Sequence, residues 1–194
     1  MIRVRDLYQD IKDYDSKEVV LKGWVRNNRN QKEFGFIDLN DGSCFETIQV
    51  VYGVALENFK EIQKFRVGSG LEIKGKVLLT PNNKQPFEIQ ALEINLLADS
   101  HESYPIQPKR HTKEFLRANA HLRPRTNLFS AVFRVRSLAA HAIHSFFQEQ
   151  DFIYCNTPLI TANDGEGAGE MFRVTTLDMD KLPRTDKGDI DFKK

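Results

Sequence analysis

Between residues 18 and 97 the chain alternates apolar and polar residues in five runs, each bounded by a marked turn. Val19, Leu21, Gly23 and Val25 alternate with Val20, Lys22, Trp24 and Arg26, which predicts a strand over 18–27. A polar loop over 27–32 leads to a second strand over 33–39. Asn40, Asp41, Gly42 and Ser43 then form a strong turn signal, because Asn, Asp and Ser side chains bond nearby backbone and Gly accepts a positive φ. A third strand is predicted over 44–52. The period then changes from two to about three and a half. Val54, Leu56, Phe59, Ile62 and Phe65 lie on a helical stretch of about ten residues that ends at Gly68–Gly70. Two more strands follow, 71–80 and 87–97, on either side of a turn at Pro81, Asn82 and Asn83.

Five strands with one helix between the third and fourth is the layout of an OB-fold, a small Greek-key barrel. Its binding face lies over the second and third strands. There the sequence places Phe34, Phe36, Phe45, Gln49 and Tyr52, with Arg26 and Arg29 nearby. Aromatic rings beside arginines on a curved sheet make a stacking platform for single-stranded bases. Period-two counting puts Phe34 and Phe36 on one face of their strand, and patterning alone leaves open whether that face is the barrel interior.

Outside the strands the chain reads differently. Val4, Leu7, Tyr8, Ile11 and Tyr14 fall at helical spacing over 3–14. Residues 98–125 read as a linker, with Pro105 and Pro108 restricting the chain. A long helix is predicted over 127–150, with Asn127 as its N-cap. Its apolar stripe comprises Phe129, Val132, Phe133, Ala139, Ala140, Ile143, Phe146 and Phe147, a pattern that belongs to a core or a subunit interface. The net charge is only +1, so the molecule as a whole is no polycation. Yet from Lys109 to Arg136 eight basic residues stand against one acid, Glu114, and such a local excess suits a polyanion or, equally, a solvated helix and loop face.

Residues 152–172 begin as a strand. Phe152, Ile153 and Tyr154 are strand formers, and Leu159, Ile160 and Thr161 resume after Pro158, which confines the strand to a sheet edge or a bulge. A loop with Gly165, Gly167 and Gly169 follows, carrying Glu166 and Glu170. Two carboxylates on a glycine loop suit a cationic group such as an ammonium. A solvated acidic turn has the same residues. Cys44 and Cys155 form no CxxC pattern, which argues against a disulfide framework or a thiolate metal site and fits a reducing compartment. His141 and His144 have no third ligand nearby in the sequence, so no metal site is assigned. No apolar run approaches the length of a membrane helix, no signal peptide opens the chain, and it reads as cytosolic.

Four runs carry a resemblance that spans the whole chain. They are GWVRNNR with FGFIDLNDGSCFETIQVVY; KRHTKEFLRANAHLRPRTN; AVFRVRSLAAHAIHSFFQEQDFIYCNTPLITA; and GEGAGEMFRVTTLD. Together they resemble the N-terminal part of the bacterial asparagine–tRNA ligases, class II synthetases related to the aspartate and lysine enzymes. The third run is similar to class II motif 1, with Pro158 at its fixed proline. The fourth is close to the run that separates asparagine enzymes from aspartate ones. The resemblance implies a β barrel, an OB-fold over 1–100 that binds the anticodon. A hinge over 101–125 would join it to the start, over 126–194, of an α+β catalytic domain built on an antiparallel sheet.

It also implies roles. Glu166 matches the carboxylate that receives the ammonium of asparagine, with Gly165, Gly167 and Gly169 shaping the loop around it. Phe36 matches the aromatic that stacks under an anticodon base, and Arg29 and Gln49 match anticodon contacts. Arg123 and Arg125 would meet the tRNA backbone. Phe133 and Pro158, in motif 1, belong to a homodimer interface. The implied reaction uses ATP and Mg2+ to form asparaginyl adenylate, then transfers the acyl group to tRNA in the cytoplasm. The arginines of motifs 2 and 3 that clamp ATP fall outside these 194 residues. The chain is therefore expected to be a fragment, an interrupted frame or a truncated paralogue, inactive alone. Two rivals remain open: a non-catalytic tRNA-binding module, and an enzyme that charges aspartate or both amino acids.

Overall fold

The computed structural model describes residues 2–82, 85–161, 167, 174–176, 178 and 180–191. Contacts within the chain group it into two units, Met1–Phe146 and Phe147–Lys194.

The first unit is built on β1 (Glu18–Asn30), β2 (Phe34–Asn40), β3 (Ile48–Gly53), β4 (Gly70–Leu79) and β5 (Phe87–Ala98). They close into a barrel in the order β1-β2-β3-β5-β4. All neighbours are antiparallel except β3 and β5, which run parallel. Closure leaves no free sheet edge. This is the OB-fold that the strand count predicts. Alternation decides what fills it: Val19, Leu21 and Val25 from β1, Ile37 and Leu39 from β2, and Ile48, Val50 and Tyr52 from β3 all point inward and are buried. Two short helices, α1 (Val4–Gln9) and α2 (Ile11–Tyr14), sit at one end, and α1 adds Val4 and Leu7 to the core. The single predicted helix over 3–14 is broken at Asp10, whose backbone leaves the helical region (φ −130°, ψ 43°).

Several boundaries differ from the pattern for physical reasons. β1 runs three residues past the predicted end at 27. Its Asn28 donates to the carbonyls of Ile62 and Phe65, and its Asn30 donates to that of Gln63, so a distant segment holds the strand extended. β3 starts at Ile48, not at 44. The Asn40 amide donates to the carbonyls of Cys44 and Glu46, and these bonds keep the chain before Ile48 as loop. The helix over 54–65 shrinks to α3 (Phe59–Ile62), which seats Phe59 and Ile62 in the core.

After the barrel come α4 (Lys113–Ala118), a 3-10 turn (Arg123–Arg125) and α5 (Asn127–Glu149). Thr112 caps α4 by accepting from Phe115 N–H at 3.2 Å. The cap of α5 is Thr126 and not Asn127: its hydroxyl accepts from Phe129 N–H at 3.4 Å, and Asn127 is used elsewhere. No residue of α5 is buried, and Val135 and Leu138 are 67% and 69% exposed.

In the second unit the predicted strand does not form. Residues 152–161 pair with no other strand among the described residues, and β structure needs a ladder partner. Ile153 and Leu159 stand exposed.

Candidate nucleic-acid interface

The outer face of β1, β2 and β3 follows from one glycine. Gly35 lies between Phe34 and Phe36 and faces the barrel interior, where the Tyr52 ring lies against it. A Cβ at Gly35 would come within 2.3 Å of Tyr52 Cζ and Oη. Because residue 35 faces inward, the two phenylalanines face outward: Phe34 is 39% exposed and Phe36 is half-buried. Their rings meet edge to face at 5.4 Å. The alternative left open by the sequence, that these rings fill the core, is thereby excluded.

Tyr52, predicted on this face, is instead core. It is 1% exposed, and its hydroxyl lies 2.9 Å from Asn28 Oδ1 and 2.7 Å from Asn30 Oδ1, donating to one at a time. Burial pushes its pKa up to about 12.

Register brings the other predicted residues together. Arg29 on β1 pairs with Phe36 on β2, and Asp38 on β2 pairs with Gln49 on β3. The Arg29 guanidinium carbon sits 5.4 Å from the centre of the Phe36 ring. Its Nη2 donates to Asp38 Oδ1 at 3.1 Å and to Gln49 Oε1 at 3.2 Å. Gln49 Nε2 donates in turn to Glu88 Oε2 at 3.3 Å. Arg29, Phe36 and Gln49 thus form one cluster. Arg29 and Gln49 line an open cleft of about 540 Å³ together with Asp38, Glu46, Thr47, Gln85 and Glu88.

The cluster is poised for exchange. An exposed ion pair such as Arg29–Asp38 is worth about 0–1 kcal/mol, so a phosphate or base competes with it at little cost. The hydrogen bonds at both ends of the Gln49 amide are longer than the usual N–H···O distance and are readily replaced by a base edge.

Sequence reasoning missed Asp38, Gln85 and Glu88. Asp38 was within reach, two residues beyond Phe36 on the same face. Gln85 and Glu88 arrive through the parallel β3–β5 pairing, which no local pattern announces.

The remaining candidates lie elsewhere. Phe45 is on the β2–β3 loop under Arg134, whose guanidinium is 5.2 Å from its ring centre and donates to Gly42 O. Arg123 lies over Phe129 at 4.6 Å and Phe133 at 5.6 Å, and its Nε has no partner among the described residues. Arg125 lies over Trp24 at 4.7 Å and donates to Tyr104 Oη at 3.3 Å. Arg26 donates to Arg125 O, and to Asn127 Oδ1 at 3.2 Å. Burial lowers its pKa, Tyr104 raises it, and nearby Arg125 lowers it further. Pro158 is exposed. Gly167 has a positive φ of 68°. Gly165, Glu166, Gly169 and Glu170 lie outside the described residues.

Residues 19–97 match the model of an OB-fold nucleic acid binding domain, and residues 112–183 match that of class II tRNA synthetases (D, K and N). The whole chain aligns at 63% identity with an asparagine–tRNA ligase of Acholeplasma laidlawii, covering 100% of this chain and 42% of that protein. The chain is similar to the asparagine–tRNA ligases. It spans about two fifths of the length of the curated relatives it matches, and corresponds to their N-terminal part.

Among solved structures it resembles an asparaginyl-tRNA synthetase from Pyrococcus horikoshii complexed with asparaginyl-adenylate. The TM-score is 0.71 at 20% identity, covering 81% of this chain and 36% of that one. An aspartyl tRNA synthetase from Entamoeba histolytica fits almost as well: TM-score 0.69, 18% identity, 80% of this chain and 39% of that one. Backbone likeness at these identities shows the fold alone.

Proposed function

We propose that residues 1–100 bind the anticodon loop of a tRNA, and that 101–125 and 126–194 are the hinge and the start of the catalytic domain of an asparagine–tRNA ligase. The observation that carries this reading is the outward cluster of Phe36, Arg29 and Gln49 on a barrel whose family binds nucleic acid. Phe36 stacks on an unpaired base, a contact worth roughly 1–3 kcal/mol and tolerant of base identity. Gln49 supplies the choice, because its amide offers one donor and one acceptor to the carbonyls and N–H of a uracil edge. Arg29 turns from Asp38 to a phosphate or a base. Arg123 and Arg125 neutralise tRNA phosphates at the hinge, at the cost of their ring contacts.

Within the whole enzyme, Glu166 holds the ammonium of asparagine, and Gly165, Gly167 and Gly169 let the loop close around it. ATP is the substrate of the adenylation step, with Mg2+ as the cofactor that would neutralise its phosphates, and the step depends on positioning and charge neutralisation. Among the described residues no three His, Cys, Asp or Glu side chains form a cation site, so no Mg2+ ligand is assigned here. The exposed apolar face of α5, with Phe133, and the segment at Pro158 would meet a second subunit in a homodimer. We place the enzyme in the cytoplasm. No helix among the described residues is long and apolar enough to cross a membrane.

The test is an anisotropy titration of this chain with a labelled anticodon stem–loop of an asparagine tRNA, and with the same stem–loop after its anticodon uracils are changed to cytosines. The proposal expects about tenfold weaker binding of the second, the factor implied by losing a base-edge hydrogen-bonded contact. Equal affinity for both would overturn it. For the enzyme as a whole, asparagine-dependent ATP–pyrophosphate exchange by a full-length family member carrying these residues is the corresponding assay.

A further inference from the structure

β1 and β2 fall out of register at one point. Val25 pairs with Leu39 and Asn27 with Asp38, so Arg26 is an extra residue with no partner across the strand. A bulge of this kind bends a strand and re-aims the bulged side chain. Here it sends Arg26 toward the chain that leaves the barrel for α5. Its guanidinium donates to the carbonyl of Arg125, the last residue of the 3-10 turn, and to the side chain of Asn127, the first residue of α5.

The reverse contact closes the loop. Arg125 lies 4.7 Å over the ring of Trp24, two residues before Arg26 on β1, and donates to Tyr104. Each arginine thus holds the segment that presents the other. No carboxylate takes part: among the described residues, the ion pairs at Arg3, Lys22, Arg29, Arg66 and Lys74 involve neither Arg26 nor Arg125.

We propose that Arg26, Trp24 and Arg125 form a carboxylate-free latch that fixes the direction in which α5 leaves the barrel, with Arg26 as its positioning residue. Its chemistry sets it apart from an ordinary surface ion pair. An arginine stacked on a ring and an arginine bonded to a backbone carbonyl are charge–quadrupole and charge–dipole contacts at van der Waals range, partly screened from solvent. Salt that dissolves exposed ion pairs leaves them largely intact. Lysine at position 26 keeps the charge but lacks the planar fork that reaches two acceptors at once. The latch also lies three residues from Arg29 on the same strand, so β1 joins the base-reading cluster to the root of α5.

Trp24 is the single tryptophan of the chain, so its fluorescence reports the latch directly. The experiment compares the whole chain with Arg26→Ala, Arg26→Lys and Asn127→Ala. It follows acrylamide quenching of Trp24 and hydrogen exchange at Thr126 and Ser130, whose amides bond within the turn and the first turn of α5. Arg29→Ala, on the same strand but outside the latch, is the control. The proposal expects Arg26→Ala to raise quenching. Exchange at those two amides should rise about five- to thirtyfold, the factor implied by losing one charge-assisted bond and loosening a ring contact. Arg26→Lys should restore only part of this, and parent and control should be unchanged in 1 M salt. Asn127→Ala lies outside the barrel and keeps the test decisive if Arg26→Ala fails to fold: faster exchange at Ser130 supports the latch. Parent-like quenching and exchange in a folded Arg26→Ala or in Asn127→Ala, full rescue by lysine, or release of the parent by salt would overturn it.

Discussion

Gly35→Ala should destabilise the barrel far more than its size suggests. An alanine Cβ would lie 2.3 Å from Tyr52 Cζ and Oη and 2.7 Å from Cε1, where about 3.5–4.0 Å is normal contact, so the ring must move by an ångström or more. It has little room. Its hydroxyl is held at Asn28 and Asn30, and its ring centre lies 5.7 Å from that of Phe59. Overpacking of this kind costs about 1–3 kcal/mol. The strained hydroxyl contact adds roughly 1 kcal/mol. The total is about 2–4 kcal/mol, a melting temperature lowered by roughly 10–30 °C for a domain near 100 residues. Gly53→Ala is the matched control, since its Cβ would meet only Glu33 O at 3.7 Å. Thermal unfolding followed by circular dichroism measures both. In a double-mutant cycle the cost of Gly35→Ala should shrink in a Tyr52→Ala background. If Gly35→Ala melts within about 2 °C of the parent, a shift below half a kilocalorie by the same scaling, the reasoning about this contact fails.

Three further outcomes follow from the structure. Tyr8 and Tyr52 both have pKa values raised to about 12, chiefly by burial, so each contributes stability that is intact below the unfolded value near 10 and is lost as pH rises toward 12. Urea unfolding across that window should show the loss in the parent and a flatter profile in the double variant Tyr8→Phe/Tyr52→Phe. Asp41 Oδ2 accepts from Val4 N–H at 2.8 Å and Ser43 Oγ from Arg5 N–H at 3.0 Å, so the β2–β3 loop caps α1 from outside. Asp41→Ala should cost about 0.5–2 kcal/mol and speed exchange at Val4; an unchanged Val4 amide would contradict the cap. The exposed face of α5 should drive concentration-dependent association in sedimentation runs, and Leu138→Glu should reduce it; a parent chain that stays monomeric at every concentration would count against the homodimer.

The features that could be read from the sequence share one property: they are local. The alternation of Val19, Leu21 and Val25 with their polar neighbours, the turn at Asn40–Ser43 and the helical stripe from Phe129 each express their structure within a few residues. What escaped the pattern depends on distant partners. The extension of β1 needs carbonyls of the α3 segment to accept from Asn28 and Asn30. Tyr52 turned out to be core because Gly35, on another strand, leaves room for its ring. The strand expected at 152–161 has the right side chains but no ladder partner among the described residues. The candidate site divides in the same way. Phe36, Arg29 and Gln49 were legible from spacing and resemblance, whereas Glu88 enters only through barrel closure.

The most direct measurement is a titration of an asparagine-tRNA anticodon stem–loop with Phe36→Ala and Gln49→Ala, each shown by circular dichroism to be folded. Phe36 lies on the outer face, so its loss should leave the barrel intact and weaken binding about 5- to 100-fold with little change in anticodon preference, the value of one stacking contact. Gln49→Ala should cost less affinity and relax the preference for uracil. A folded Phe36→Ala that binds the stem–loop as tightly as the parent would contradict the assignment of this face to the anticodon.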